Sequence, residues 1–383
     1  MKKNGNKDII IVGASVAGLF AAYELAKAGR QVRVYEAQPE LSPEERTLIV
    51  TPAWLRLLDF DVEEAVLNRT HTFELFSRGA SARITLQEPD VIMERRRFVQ
   101  LLARMVEEVG GELILNHRLE TVRNGGGPPT LFFRNGRGPE ALDASTVIGA
   151  DGVHSTVAPE VKHDGVPRVY IPQVRVSLPA DQPPETVRVW FDRERTRFFT
   201  WLIPESSETG AVGLIGDTET EAKAALEHFI AAHDLAPVDD YQEDWVSMYP
   251  PRSHPTAAIG DGRAFLVGDN AGQVKVTTVG GVVTGMRGAA AAARAILDGT
   301  TYRQELRPLR RELSAHALVR YVLDGFTDDD YDQLLEMLNA KTMDVLGEYH
   351  RDQLVRLIWH LLSTEPRWLL LGARALGRRV LKG

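Results

Sequence analysis

A chain of 383 residues is longer than one small binding module needs and fits two or three domains. Charged residues make up 26% and the apolar set 44%, a globular balance that excludes wholesale disorder, and a formal charge of −8 argues against nucleic acid as the main partner. With no cysteine there is no disulfide framework, thiolate metal site, iron–sulfur cluster or cysteine nucleophile.

Lys2, Lys3 and Lys7 ahead of Ile9–Tyr23 could pass for the basic and apolar parts of a signal peptide. The stretch reads better as a strand, a tight glycine turn and a helix. Asp8–Val12 (DIIIV) is a short apolar run of the kind a strand covered on both faces requires. G-A-S-V-A-G follows at Gly13–Gly18, and Val16, Leu19, Phe20 and Tyr23 recur at helical spacing. Gly29 stands where a helix-ending glycine belongs, and Gln31–Glu36 alternates like a second strand. This is a β-α-β unit of the dinucleotide-binding kind. Gly13 permits the tight turn, Ser15 is small enough for backbone to approach a pyrophosphate, and Gly18 lets the helix pack close on the strand. Glu36, at the second strand's end, is placed to accept from ribose hydroxyls, so FAD or NAD is expected rather than NADP.

Phe98–Val109 forms the next helical stripe, ended by Gly110 and Gly111, with a strand after it at Glu112–Leu115. Asn124–Pro129 (NGGGPP) is turn chemistry and predicts a hairpin. Thr146–Ile148 and Ala264–Val267 are buried strands, followed at once by Gly149–Ser155 (GADGVHS) and Gly268–Gly272 (GDNAG). Between them, over about 165–255, alternating strands are broken by prolines, most clearly Val187–Phe191 and Phe198–Ile203. Ten of the 28 aromatics fall in residues 170–249, either as sheet core or as the wall of an apolar ligand site. Beyond Gly288 the pattern is helical to the end. His228 and His233, five apart, do not share a helix face, and no metal site is expected. Asp328, Asp330 and Asp332 mimic a calcium loop, but Gln333 replaces the glycine such a loop needs, so they read as helix-capping acids. After Pro366 there are five basic residues (Arg367, Arg374, Arg378, Arg379, Lys382) and no acid, with Leu369, Ala373, Leu376 and Val380 on one helical face. That helix either docks as core or lies on an anionic membrane surface. No segment has the roughly 18 uncharged apolar residues of a spanning helix, and the expected location is cytoplasmic or peripheral to a membrane.

The three glycine motifs, in this order and spacing, resemble the family of FAD-dependent aromatic hydroxylases, flavin halogenases and geranylgeranyl reductases. The resemblance implies FAD held by Gly13, Ser15, Gly18 and Glu36, with Asp269 on the ribitol chain and Asp151 and Gly152 buttressing the pyrophosphate region. Arg95, in an Arg-x-x-Phe stretch, matches the family's flavin-contacting arginine. Gly268–Gly285 (GDNAGQVKVTTVGGVVTG) is similar to the geranylgeranyl reductase pattern, with Gly268, Gly280 and Gly281 at cofactor positions. Val276 and Val279 stand where that family usually has proline and glycine. Thr196–Pro204 (TRFFTWLIP) lines up with its substrate pattern Pro-x-x-Tyr-x-Trp-x-Phe-Pro, so Phe199, Trp201 and Pro204 are the substrate residues it implies. A halogenase would want tryptophan at Phe199 and a lysine within 37–65, where there is none. Glu45–Leu58, with Arg46, a proline and then a leucine-rich helix, looks more like the aromatic hydroxylases. Arg46 itself could also be a solvated loop charge.

The expected architecture joins α/β and α+β parts: a Rossmann-like FAD-binding domain (1–75, 95–165, 255–300), an inserted antiparallel-sheet substrate domain (76–94, 166–254) and a helical C-terminal region (301–383). The expected activity is saturation of C=C bonds in a geranylgeranyl or polyprenyl lipid or quinone side chain by hydride from reduced flavin; no catalytic acid is assigned. The alternatives are a monooxygenase of an aromatic or polyketide ring, and a flavin-stabilised carrier of prenyl lipid. There is no second glycine fingerprint, so NAD(P)H or a redox protein would reduce the flavin from a transient site.

Overall fold

Four β-branched residues in a row, Ile9–Val12, suit a strand with no solvent face, and all four are buried. In the computed structural model, which describes residues 9–124, 127–163, 165–251 and 254–382, this strand lies inside a six-stranded sheet. Lys2, Lys3, Lys7, Asp8, Gly125, Gly126 and the Lys382 side chain lie outside the described residues. Across the sheet the strands run Thr256–Ile259, Gly262–Leu266, Thr146–Gly149, Ile9–Val12, Val32–Tyr35, Glu112–Ile114. All neighbours are parallel except the first pair, an antiparallel hairpin. Helix α1 (Val16–Lys27) follows the Ile9–Val12 strand, and α2 (Arg95–Glu108) packs against it. The α2 helix starts three residues earlier than its apolar stripe suggests. Glu94 caps it, accepting from the Arg96 and Arg97 amides at 2.7 and 2.9 Å.

The second sheet has nine strands. Arg168–Ser177, Thr209–Leu214, Thr200–Pro204, Thr186–Trp190, Val66–Phe76, Ser81–Glu94 and Thr47–Val50 lie side by side in that order, with Ala236–Pro237 and Gln242–Ser247 both on Arg168–Ser177. The leucine-rich helix expected within Glu45–Leu58 is not formed. Thr47–Val50 is a strand antiparallel to Val91–Glu94, and Pro52–Leu57 is a 3-10 segment. The reason is local: Thr47, Ile49 and Val50 favour extended backbone, and Pro52 leaves too few residues beyond it for an α-helix. Val66–Phe76, grouped by the sequence with the nucleotide-binding segments, pairs here with Ser81–Glu94 and Thr186–Trp190. Helix α3 (Glu219–Ala232) covers one face of this sheet, where Leu226 and Phe229 meet Val174, Leu202 and Val212. Strand alternation sends Ile171, Trp201 and Ile203 to the opposite face. A separate three-stranded meander, His117–Arg123, Thr130–Asn135 and Gly138–Asp143, contains the expected hairpin.

Seven helices complete the chain: α4 (Val282–Leu297), α5 (Tyr302–Glu305), α6 (Arg307–Leu323), α7 (Asp328–Glu336), α8 (Ala340–Glu348), α9 (Leu354–Thr364) and α10 (Arg367–Lys382). The alanine-rich α4 packs on α1, while α7 and α8 rest on the Ser81–Glu94 strand. Thr327 and Asp330 form a capping box at the start of α7. Asp328 accepts from the Arg193 amide at 2.9 Å and Asp332 from the Gly79 amide at 2.8 Å, so these acids serve protein donors. The docked face of α10 is not the one its sequence stripe suggests. Leu371 and Ala375 are buried with Phe326 and Tyr331, whereas Leu369, Ala373 and Val380 are exposed and Leu376 is half-buried.

Candidate active site

The turn at Gly13–Gly18 is built by exclusion of side chains. Gly13 has φ +99°, and a Cβ there would lie 2.5 Å from the Ala150 carbonyl oxygen. On Gly18 a Cβ would lie 2.3 Å from the Gly13 oxygen. Ser15 is the N-cap of α1, and its Oγ accepts from the Gly18 amide at 3.2 Å. Glu36 braces the same turn: one carboxylate oxygen accepts from the Ala14 amide at 2.8 Å, the other from the Gln38 amide at 2.9 Å.

The second and third motifs are tied to each other. Asp151 Oδ1 accepts from Ser155 Oγ at 2.5 Å and from Asn270 Nδ2 at 2.9 Å, while Oδ2 accepts from the Thr156 amide at 2.7 Å. Gly152 (φ +74°) and Gly268 (φ +76°) make the tight turns after their strands. Asp269 follows and faces inward. No protein donor hydrogen-bonds to its carboxylate among the described residues. Burial, aided by repulsion from Asp244 and opposed by Arg95 and Arg46, pushes Asp269 up to about 6.

These elements open onto one cavity of about 700 Å³, where the start of α1, the start of α4, the inner face of the second sheet and helices α6 to α9 meet. The cavity changes character along its length. Near α1 it is polar: Ser15, Arg95, Asp151, Gly152, Gly268, Asp269, Gly280 and Gly281 line it. Beyond them the wall is apolar, with Leu75, Val187, Val189, Phe191, Phe199 and Trp201. Phe199 meets Trp201 edge-on at 5.9 Å, and Phe191 stacks on Tyr331 at 4.7 Å. Gly213 makes room for the Trp201 ring, since a Cβ there would lie 2.5 Å from Trp201 Cζ2. The Trp201 indole nitrogen is buried without a hydrogen-bond partner among the described residues. The aromatic-rich stretch divides between cavity and core: Phe191, Phe198, Phe199 and Trp201 line the cavity, whereas Trp190 packs on Phe229 and Tyr170 on Trp245.

Of the residues singled out from sequence, Gly13, Gly18 and Glu36 form the turn beside the cavity rather than its lining. Pro204 lies at the far end of its strand, where its carbonyl accepts from Asn68 Nδ2 at 3.2 Å, and is not part of the lining. Arg46 is not a solvated charge: its guanidinium donates to the Ile171 carbonyl at 3.1 Å and lies 3.6 Å from Asp244 in the cavity wall. Lys275 is buried with its Nζ 2.6 Å from Asp352, which also accepts from Thr51. Burial opposes ionisation of Asp352, but Lys275 and the Thr51 hydroxyl hold it below the usual carboxylate range. Beside them Thr277 lies 2.6 Å from His316 Nδ1, and burial together with Lys275 pushes that imidazole down to about 3. Asp244, Asp352 and His316 carry no sequence signal; Arg46 and Lys275 sit in stretches the resemblance marks, without a role attached.

The residues present fit FAD. The turn at the head of α1, with no room for a Cβ at Gly13 or Gly18, suits a pyrophosphate, and Asp269, inward-facing and without a protein donor among the described residues, suits a sugar or ribityl hydroxyl. The chain is 25% identical over 370 residues (89% of this chain, 94% of the relative) to digeranylgeranylglycerophospholipid reductase 2 of Methanothermobacter thermautotrophicus. It is 30% identical to the FAD-dependent monooxygenase prhF of Penicillium brasilianum, but only over 167 residues (40% of this chain, 34% of that one). The fold matches the solved structure of a geranylgeranyl bacteriochlorophyll reductase-like protein from Thermoplasma acidophilum with a TM-score of 0.76 at 17% identity, covering 94% of this chain and 96% of that one. Residues 6–303 match the family model described as the FAD binding domain, and the chain belongs to that family of FAD-dependent oxidoreductases.

Proposed function

We propose that the enzyme saturates C=C bonds of a geranylgeranyl or polyprenyl chain on a lipid or quinone. The observation that carries this reading is the apolar wall of the cavity, continuous from Phe199 and Trp201 to Val187, Val189 and Leu75, next to the polar end that suits FAD. When bound and reduced, FAD supplies the hydride for one alkene carbon; the other receives a proton. The chain's own contribution is to hold the alkene. Phe199, Trp201 and Phe191 confine a flat, unfunctionalised chain by shape, and the aliphatic residues behind them exclude water. Arg95 and Asp269 line the polar end, where they would hold FAD. NAD(P)H or a redox protein supplies electrons from a transient site. The whole-length likeness to a digeranylgeranylglycerophospholipid reductase supports this reading, and a peripheral membrane contact through residues 367–382 accords with a lipid substrate.

One observation favours a second reading, a monooxygenase of an aromatic or polyketide substrate. Arg46 and Arg95 both face the cavity with Asp244 between them, a polar corner that an acyclic isoprenoid does not need. The two readings separate in one anaerobic experiment. Photoreduced enzyme mixed with geranylgeranyl lipid should regain its oxidised flavin spectrum without oxygen if the prenyl reading is right. Reoxidation that waits for oxygen with every prenyl lipid tried would transfer the reading to the monooxygenase.

A further inference from the structure

Helices α6 and α9 each have an apolar residue on two opposite sides. Leu323 of α6 and Leu357 of α9 face the cavity, yet Leu318 and Tyr321 of α6 and Val355 and Trp359 of α9 face outward. A helix that shields a cavity normally turns a polar face to water. Among the described residues eleven large apolar side chains are exposed, and eight of them lie on α6, α9 and α10, the last contributing Leu369, Leu370 and two more near its end. Trp359 is 72% and Leu370 68% exposed, which scattered surface residues do not explain. The three helices pack on one another, so their outer sides adjoin.

The same surface is basic on a chain of net charge −8. Between Tyr349 and Leu381 the only carboxylates are Asp352 and Glu365, both buried, against six arginines. Arg378 and Arg379 tie α10 to Asp330 and Asp324, and Arg374 also reaches Asp330. Arg356 and Arg374 are exposed beside the apolar residues, and Arg367, also exposed, donates to both oxygens of Glu365 at 2.7 Å.

We propose that the outer faces of α6, α9 and α10 dock on an anionic lipid bilayer, with Trp359 and Leu370 at the headgroup boundary and Arg356 and Arg374 against lipid phosphates. The choice of a bilayer deepens the prenyl-lipid reading and rests on it only for the source of substrate. An interfacial surface of this kind combines apolar side chains with cations and carries almost no exposed acid. A second copy of the chain is the poorer occupant, because a two-fold contact would set this basic, acid-poor patch against itself. Two of the three helices, α6 and α9, line the cavity with their inner sides through Leu323 and Leu357, so docking would set lipid one helix layer from the cavity.

The test uses full-length FAD-loaded protein and sedimentation with vesicles of phosphatidylglycerol and phosphatidylcholine, or of phosphatidylcholine alone, none containing isoprenoid. The protein should sediment with the mixed vesicles, and high salt should release it. Trp359→Ser/Leu370→Ser should weaken binding by about tenfold or more with unchanged flavin content, from the apolar area withdrawn. Arg356→Glu/Arg374→Gln should also weaken it by about tenfold and flatten the salt dependence. No sedimentation with anionic vesicles, or undiminished binding by both variants, overturns the proposal. So does a dimer in light scattering that Trp359→Ser/Leu370→Ser dissociates, since the face is then a contact between copies. Vesicle binding without alkene reduction leaves the docking surface standing and removes the prenyl reading. Reduction of a detergent-dispersed prenyl lipid without vesicle binding does the opposite.

Discussion

The two ends of the cavity are made in different ways. At the polar end the turn Gly13–Gly18 packs backbone against backbone at its two glycines, where an added Cβ would lie 2.3–2.5 Å from a carbonyl oxygen, and its Ala14 amide is braced on Glu36. At the apolar end side chains do the work: an aromatic wall, and a cap pinned by His350, Arg351 and Asp352 on Glu88, Asp90 and Lys275. Backbone geometry suits a ligand whose phosphates are always the same. Side-chain walls and ion pairs can be replaced one residue at a time without disturbing that turn.

Substitutions at the two ends should therefore fail differently. The largest effect belongs to Gly13→Val, because Gly13 adopts a left-handed backbone and has no room for a Cβ. The variant should purify without flavin colour; full flavin content would mean the turn tolerates what its geometry forbids. Next comes the buried pair at the cap. Asp352→Asn leaves the Lys275 ammonium buried without its counter-charge and should cost roughly 3–5 kcal/mol in denaturant unfolding. Lys275→Met/Asp352→Leu should recover much of that loss, and the absence of any recovery would show that the two residues are not energetically coupled. Because Asp352 is held below the ordinary range, its contribution is present above the unfolded value and fades as pH falls through the folded one. Acid should loosen the cap before it affects the glycine turn.

At the nucleotide end Asp269 gives a smaller effect of opposite sign. Its raised value means the protonated form is favoured, a preference present below the ordinary carboxylate value and lost as pH rises through about 6. A hydroxyl of FAD donating to the carboxylate favours the ionised form instead. FAD affinity measured by titration should thus rise about tenfold from pH 5 to pH 7, and Asp269→Asn should flatten the profile. A pH-independent affinity in the native protein would remove Asp269 from FAD recognition. The mildest cofactor effect is expected for Trp201→Ala, which should impair turnover of a prenyl substrate while leaving the flavin spectrum almost unchanged. A shifted spectrum would place Trp201 against the cofactor instead.

The difference between the ends also decides what is legible in sequence. Gly13, Ser15 and Gly18 are close in the chain, and each is demanded by a local conformation, so six residues announce the turn. The apolar stripe of α2 and the hairpin around Asn124–Pro129 are local in the same sense. Arg46 is illegible because the carbonyl that holds it, Ile171, is 125 residues away. Lys275 finds Asp352 across 77 residues, and nothing around Asp352 marks it as a partner. The docked face of α10 is misread because that helix has apolar residues on two sides, and only Phe326 and Tyr331 select Leu371 and Ala375. Pro204 matches a family pattern, yet its place in its strand keeps it out of the cavity lining.

Product mass tests most directly whether the apolar end of the cavity holds an alkene for reduction. Reduced enzyme given a geranylgeranyl lipid without oxygen should yield products heavier by about two mass units for each bond saturated, since one hydride and one proton are added. Products heavier by about sixteen units, formed only with oxygen, would contradict it.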